Sequence, residues 1–197
     1  MSIWALMPAS YDRWKPTMPH STESAKEIVL RGSIFSVERL TIALRGGRTA
    51  VREIVRHPGA VCVLGLLDDD RLVTIRNFRI ATGKWLHEFC AGKLEPGEDP
   101  KAAAARELVE ETGYRAQEIE SLGSFYTSPG FTDELMHAFV ARGLTPCQSQ
   151  LQEDERIEVV LLAVPQFTEM IRRGEVADGK TMATFLRWQL SQASARR

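Results

Sequence analysis

Three glutamates, Glu107, Glu110 and Glu111, lie close together in the stretch from Gly92 to Tyr114, GKLEPGEDPKAAAARELVEETGY. On a helix, side chains four residues apart leave the same face, with their Cβ atoms about 5–6 Å apart, and Glu107 and Glu111 have that spacing. Like charges this close repel each other unless a cation lies between them. Carboxylate oxygens are ligands that Mg²⁺ and Mn²⁺ prefer, so the cluster predicts a divalent-metal site.

The local sequence predicts a loop followed by a helix of about three turns that carries these glutamates. Asp99 is a suitable N-cap, Pro100 suits the first turn, and Gly113 suits the position after the last turn. The run from Ala102 to Ala105 consists of the strongest helix formers. A solvated acidic face paired with Arg106 is the alternative. Acidic groups at a helix C-terminus are unfavourable for the macrodipole, however, and a metal site explains that cost.

A site built from carboxylates indicates a particular kind of chemistry. A bound cation activates water for attack on phosphorus and stabilises charge on the attacking and leaving oxygens. Mg²⁺ also commonly binds substrate phosphates. The sequence has no competing His/Cys cluster and no pattern for a serine or cysteine nucleophile. The residues therefore favour metal-dependent hydrolysis of a phosphate compound.

The spacing of the whole stretch resembles the Nudix box, the motif of the Nudix hydrolase family. Gly92, Glu98 and the run from Arg106 to Gly113, RELVEETG, match its fixed positions. Tyr114 departs from the aliphatic residue that is usual at the last position. The resemblance implies an α+β fold, namely an α/β/α sandwich with a mixed β-sheet that carries the box as loop–helix–loop. It also implies hydrolysis of a nucleoside diphosphate linked to another group, with Mg²⁺ or Mn²⁺ as cofactor.

The resemblance also implies roles for individual residues. Glu107 and Glu111 match the main metal ligands, and Glu110 matches a further ligand or a contact to metal-bound water. Ala91 matches the position whose backbone carbonyl completes the metal site. Two further residues match box positions that orient these groups, Arg106 orienting a glutamate and Glu98 orienting the loop or the arginine.

Residues outside the box resemble the ADP-ribose pyrophosphatase group of the family. Pro129 lies sixteen residues after Gly113, in the segment SPGFTDE, which also contains Gly130. Arg52 resembles an arginine that reaches the substrate from the neighbouring subunit, and Arg79 one that also contacts the substrate. Glu88 matches a pocket position just before the box. The alternatives are a plain turn for Pro-Gly and ordinary surface ion pairs for the arginines.

In the resembling group the general base comes from a loop after the box. Glu153 and Glu155 lie in the matching polar loop, just before the strand IEVVLL, and Glu153 is slightly preferred. A base has to come within about 2.6–3.2 Å of the water or reach it through one further water. Solvated loop acids are the alternative interpretation.

The chain divides into two predicted regions. Residues 1–55 are an irregular arm, with Trp4 and Trp14 as anchors, followed by a small antiparallel sheet. Residues 56–197 are the Nudix hydrolase domain. The resembling enzymes are dimers that exchange N-terminal segments, which implies a homodimer joined through the first region.

Single segments of the second region carry further predictions. The apolar run from Ala60 to Leu67 predicts a buried central strand, and Trp85 to Cys90 predicts one short strand leading into the box loop. Pro165 predicts the start of a helix that runs through about Arg173, and a last helix spans about Lys180 to Leu190. The segment Gly179-Lys180-Thr181 lacks the upstream glycines of a P-loop, so it is assigned no role.

Composition narrows the class of protein. The 197 residues carry a net charge of −1, which provides no basic field for nucleic acid. The three cysteines lack metal-ligand or redox spacing and are predicted to be reduced. No signal peptide or membrane span is evident, which predicts a cytoplasmic protein.

Together, the residues and the resemblance predict a hydrolase that splits ADP-ribose into AMP and ribose 5-phosphate. Another nucleoside diphosphate sugar, such as GDP-mannose or ADP-glucose, is the alternative substrate. A nucleotide-binding module without turnover is less consistent with the sequence, because all of the box carboxylates are present.

Overall fold

The computed structural model describes residues 22–151 and 156–195. The predictions for Trp4, Trp14, Glu153 and Glu155 lie outside these residues. In chain order, the strands and helices are β1 Thr22–Arg31, β2 Ser36–Ala43, β3 Thr49–Arg56, β4 Ala60–Leu66, β5 Arg71–Arg79, β6 Lys84–Glu88, β7 Cys90–Lys93, α1 Pro100–Thr112, β8 Tyr114–Arg115, β9 Glu118–Tyr126, β10 Leu135–Arg142, β11 Thr145–Pro146, β12 Ile157–Ala163, α2 Val164–Arg172 and α3 Gly179–Ala195.

The first three strands form a small antiparallel sheet in the order β1-β2-β3, as the sequence predicts. Strand β1 is one of its two edge strands. The consecutive residues Ile28, Val29 and Leu30 are all exposed, at 39%, 38% and 49%, and the register with β2 shifts between Ile28 and Leu30. Strand β1 therefore exposes apolar side chains at this irregularity.

The larger sheet has the order β12-β5-β4-β10-β9, with β6 also paired to β5 and β7 also paired to β4. Strand β10 runs parallel to β4, whereas the other pairings are antiparallel. The sheet is therefore mixed, as predicted. Strand β4 lies at its centre, and all seven of its residues are buried.

The two faces of this sheet carry separate apolar cores. Val61 and Val63 of β4 pack with Ala104 and Leu108 of α1 on one face. The alternate β4 residues face the other side, where Cys62 and Leu64 belong to the same cluster as three aromatic side chains from α2 and α3, Phe167, Phe185 and Trp188. Because alternation along a strand sends neighbouring side chains to opposite faces, helices cover the sheet on both sides. The predicted α/β/α sandwich is confirmed.

The segment before the box differs from the prediction. Trp85 to Cys90 is not one strand, because the chain changes its partner strand at Phe89: β6 pairs with β5, and β7 pairs with β4. Gly92 consequently lies within β7 rather than in a loop. Phe89, between the two strands, is fully buried.

The C-terminal helices differ from the prediction only at their ends. Helix α2 starts at Val164, one residue before Pro165, and α3 extends from Gly179 to Ala195, beyond the predicted end at Leu190. Among the described residues, no helix combines the length and the apolar character needed to cross a membrane. The three cysteines are free thiols, and burial raises the pKa of Cys62 to about 12.

Gly113 is expected to be needed for the end of α1. Its φ of 68° is left-handed, and an added Cβ would lie 3.0 Å from the backbone oxygen of Cys147. Gly113→Ala is expected to lower the free energy of unfolding in urea by more than about 2 kcal/mol, through left-handed strain plus the close contact. Gly174→Ala is the matched control, because its φ is 73° but an added Cβ would meet no atom within 4 Å. It should cost only about 1 kcal/mol. Equal losses would show that the contact is relieved without cost.

Candidate active site

Helix α1 forms as its sequence predicts. The Asp99 carboxylate accepts hydrogen bonds from the backbone N–H groups of Lys101 and Ala102, at 3.0 and 3.1 Å, and caps the N-terminus. At the other end, Gly113 is left-handed and donates its N–H to the Val109 oxygen. The geometry of this helix turns Glu107 and Glu111 inward against the sheet.

The two inward carboxylates meet the backbone of β7. The Ala91 N–H donates to Oε2 of Glu111 at 3.0 Å. A Cβ on Gly92 would lie 1.9 Å from Oε1 of Glu107, so the Glu107 carboxylate occupies the space that any other side chain would need. Glu107 is only 7% exposed and Glu111 only 4%. Helix α1 and strand β7 are thus joined through these two acidic groups.

Arg106 supplies positive charge to the acidic cluster. Its Nη1 donates to Glu107 at 2.7 Å and to Glu110 at 3.0 Å. Its Nε and Nη2 bind the two oxygens of Glu98, each at 3.0 Å, and this bidentate pair lowers the pKa of Glu98 and raises that of Arg106. The four residues are brought together as the sequence predicts, and their roles in catalysis stay predictions.

The donor set at this cluster fits a hard divalent cation. It offers two nearly buried carboxylates one helical turn apart, next to strand backbone at Ala91 and Gly92. Within residues 22–151 and 156–195, no three His, Cys, Asp or Glu side chains already converge on one point as metal ligands do. The Arg106 guanidinium instead lies against Glu107 and Glu110. Nη1 binds one oxygen of each group, Oε1 of Glu107 and Oε2 of Glu110, and a carboxylate has the acceptor capacity for a hydrogen bond and a cation together.

Arg79 and Glu88 form a second charged group near the box. The two oxygens of Glu88 accept from Nε and Nη2 of Arg79 at 2.9 and 2.6 Å. Glu88 is completely buried, whereas the Arg79 side chain is 39% exposed. The hydrogen bonds to Glu88 are the main reason that the pKa of Arg79 is raised, and the charge of Glu111 contributes to the same shift. Lys180 is the third member of this charged group, and its Nζ lies 2.5 Å from Glu88. The sequence did not indicate this contact.

The segment with Pro129 and Gly130 is attached to the end of β3. The backbones of Val55 and Phe131 are hydrogen-bonded at 2.8 Å, and Asp133 donates its N–H to the Val55 oxygen at 3.2 Å. Arg56 binds the Asp133 carboxylate at 3.0 Å. A cleft of about 310 Å³ lies here, and its lining includes Ile54, Arg56, Tyr126, Pro129, Gly130 and Asp133. Arg56 and Asp133 had no assigned role in the sequence, although both line this cleft together with Pro129 and Gly130.

Arg52 lies apart from the other candidate residues. It is exposed on β3, and its guanidinium donates to the Val51 oxygen at 2.9 Å. None of its contacts within the described part of the chain involves another candidate site residue. Its predicted role across a subunit interface stays a prediction.

The fold and the acidic helix identify the family. A sequence model of the NUDIX domain matches residues 56–185, so the chain belongs to the Nudix family. It is 39% identical over 171 residues to an ADP-ribose pyrophosphatase of Bacillus subtilis, covering 86% of this chain and 92% of that protein. It is 33% identical over 187 residues to a GDP-mannose pyrophosphatase of Escherichia coli, covering 84% and 94%.

Two further proteins are similar to this chain. A methanol dehydrogenase activator of Bacillus methanolicus is 39% identical over 169 residues, covering 85% of this chain and 91% of that protein. The crystal structure of an ADP compounds hydrolase superposes with a TM-score of 0.79 and covers 89% of this chain and 95% of that one. At 23% identity, this last match supports the fold alone.

Gly92→Ala is expected to weaken metal binding while the protein stays folded. The new methyl group requires the Glu107 carboxylate to move, so the affinity for Mn²⁺, measured by electron paramagnetic resonance of the free ion, should fall at least about tenfold. Gly130→Ala is the control, because an added Cβ there meets no atom within 4 Å. Unchanged Mn²⁺ affinity in folded Gly92→Ala would contradict the assignment of Glu107 as a ligand.

Proposed function

We propose that the protein hydrolyses the diphosphate bond of ADP-ribose to give AMP and ribose 5-phosphate, with Mg²⁺ or Mn²⁺ as cofactor. The observation that carries this proposal is the pair of nearly buried carboxylates, Glu107 and Glu111, held against the backbone of β7 beside Arg79. Carboxylates for a cation and a guanidinium for phosphate are what the hydrolysis of a diphosphate requires.

In this proposal Glu107, Glu110 and Glu111, with the backbone carbonyl of Ala91, hold the cation. When bound, such an ion lowers the pKa of a water ligand and polarises phosphate oxygens. Arg106 keeps Glu107 and Glu110 in place through its Nη1, and Glu98 anchors that arginine through two hydrogen bonds. These pairings hold the acidic cluster together despite the repulsion among its charges.

Arg79 is proposed to bind the substrate diphosphate. Its Nε and Nη2 donate hydrogen bonds to Glu88, and among the described residues its Nη1 forms no hydrogen bond. A guanidinium fixed along one edge presents its remaining N–H groups in a constant direction, which suits a phosphate oxygen.

The general base is proposed to be Glu153 in preference to Glu155. The cytoplasmic location stays a prediction.

The choice of ADP-ribose is supported from outside the box. The segment containing Pro129 and Gly130 resembles the ADP-ribose pyrophosphatase group, and the relative with that name is more similar to this chain, at 39% identity, than the GDP-mannose pyrophosphatase, at 33%. GDP-mannose is the second candidate because that relative also matches most of the chain.

A panel of nucleoside diphosphate sugars tests the proposed substrate. Added alkaline phosphatase frees phosphate from AMP and ribose 5-phosphate but not from the intact diphosphate. The value of kcat/KM should be highest for ADP-ribose, and Glu111→Gln should lower kcat at least about hundredfold because a metal ligand loses its charge. Glu118→Gln, on the exposed start of β9, is the control and should be as active as wild type. A preference for GDP-mannose would refute the first choice of substrate.

We also propose that the protein is a homodimer in which Arg52 reaches the active site of the other subunit. The small N-terminal sheet and its turns expose apolar side chains, which a second subunit would cover. They are Ile28, Val29, Leu30, Ile34, Phe35, Leu44 and Val51. Arg52 is on the same sheet, and its exposure makes it available to a partner.

Heterodimers of two impaired variants test this arrangement. Arg52→Gln and Glu111→Gln are co-expressed with different affinity tags, and the doubly tagged dimer is purified. If Arg52 acts across the interface, one of the two sites is intact, and the heterodimer should show about half of the wild-type activity. If Arg52 acts within its own subunit, each site carries one defect and activity stays low. A protein that is monomeric by light scattering and fully active at the same concentration would contradict the proposed dimer.

A further inference from the structure

The first turn of α3 contains a charged group that the proposed function does not use. Asp178 caps this helix by accepting the Thr181 N–H at 2.9 Å. Its other oxygen pairs with Nζ of Lys180 at 2.9 Å, and the same Nζ lies 2.5 Å from Oε2 of Glu88. The turn of residues 178–181 is therefore linked to Glu88, which is 92 residues away in sequence.

A second contact from this turn reaches the backbone next to Glu88. The Thr181 hydroxyl oxygen accepts the N–H of Phe89 at 3.0 Å, while the hydroxyl proton is donated to Asp178. Phe89 is the residue at which the chain passes from β6 to β7, so its N–H is not part of the hydrogen bonding of either strand. Helix α3 thus holds both the side chain of Glu88 and the backbone that follows it.

The energetics of this group argue against a purely structural role. Glu88 is fully buried, and the side chains of Lys180 and Asp178 are only 14% and 15% exposed. Burial favours a lower pKa for Lys180, but the charges of Asp178 and Glu88 outweigh it, and the pKa of Lys180 is raised. Buried ion pairs give little net stability over apolar residues of the same volume, because desolvation offsets their attraction. Such a pair is better explained by what it positions.

Both contacts connect α3 to residues of the proposed metal and phosphate sites. Glu88 holds Nε and Nη2 of Arg79, and Ala91, two residues after Phe89, binds Glu111 through its N–H. We propose that Lys180 and Thr181 are positioning residues for hydrolysis: Lys180 fixes Glu88 and thereby aims Arg79 at the substrate diphosphate, and Thr181 fixes the start of β7. This inference rests on the proposed diphosphate substrate, and neither residue is proposed to touch it.

A double-mutant cycle distinguishes positioning from general support of the fold. Lys180→Met should lower kcat/KM about ten- to hundredfold, mainly by raising KM, because Arg79 is no longer held in one direction. In an Arg79→Met background the same change should lower kcat/KM less than about twofold, since no guanidinium remains to be aimed. Effects that simply multiply in the double variant would overturn the role assigned to Lys180.

Two threonines of α3 give a matched comparison for the second contact. Thr181 and Thr184 are both fully buried, but only Thr181 binds the Phe89 N–H. Thr181→Val should lower kcat/KM at least about tenfold. Thr184→Val should change kcat/KM less than about twofold. Equal losses of activity in the two variants would overturn the role of Thr181.

The assays also separate this inference from the proposed function. They use whichever nucleoside diphosphate sugar the wild type hydrolyses fastest, so a different substrate refutes ADP-ribose without affecting the cycle. If the wild type hydrolyses none, the proposed function fails, and the cycle is then measured by calorimetric binding of ADP-ribose. Absence of binding would refute both proposals.

Circular dichroism establishes whether each variant is folded. If Lys180→Met does not fold, Lys180→Arg replaces it, and failure of both to fold would mark the role as structural and refute the inference.

Discussion

The contact between the carboxylates of α1 and the backbone of β7 is the constraint on which the rest of the site depends. Glu111 accepts the Ala91 N–H, and the Glu107 carboxylate fills the space beside Gly92. A helix that brings acidic groups this close to a strand needs a glycine in the strand and a counter-charge nearby. Arg106 provides that charge in the described structure, and a cation is proposed to share it during hydrolysis. Strand β7 pairs with the fully buried central strand β4, which fixes the backbone that these carboxylates meet.

Signals that act over short distances made much of the fold predictable. The N-cap at Asp99, the alanine run and the left-handed Gly113 define α1 locally, and the apolar run from Ala60 identifies the central strand. The box predicted which acidic groups meet, because helical spacing alone places Glu107 and Glu111 on one face. The break at Phe89 was missed, since a short apolar run contains no information about which neighbouring strand each residue joins.

Contacts between distant parts of the chain were beyond the reach of such signals. The pairing of Arg56 with Asp133 spans 77 residues and that of Lys180 with Glu88 spans 92. Each involves an ordinary charged residue whose neighbours in sequence do not indicate its partner. Lys180 also lies at the start of a helix, and the Asp-Gly segment before it indicates only a helix N-terminus. The topology of the fold determines these contacts. The assignment of Glu153 or Glu155 as general base stays a prediction from the resemblance.

The long sequence separation between Glu88 and Lys180 has a consequence for synthesis on the ribosome. The acidic helix and β7 are close in sequence, so a nascent chain contains all of the proposed metal ligands well before its last segment is translated. The charged partners of Glu88 are complete only when α3 has left the ribosome and docked. Until then Glu88 lacks its contact with Lys180, and the Arg79 guanidinium is not held in one direction. A truncated translation product therefore carries the acidic cluster without the complete phosphate-binding arrangement.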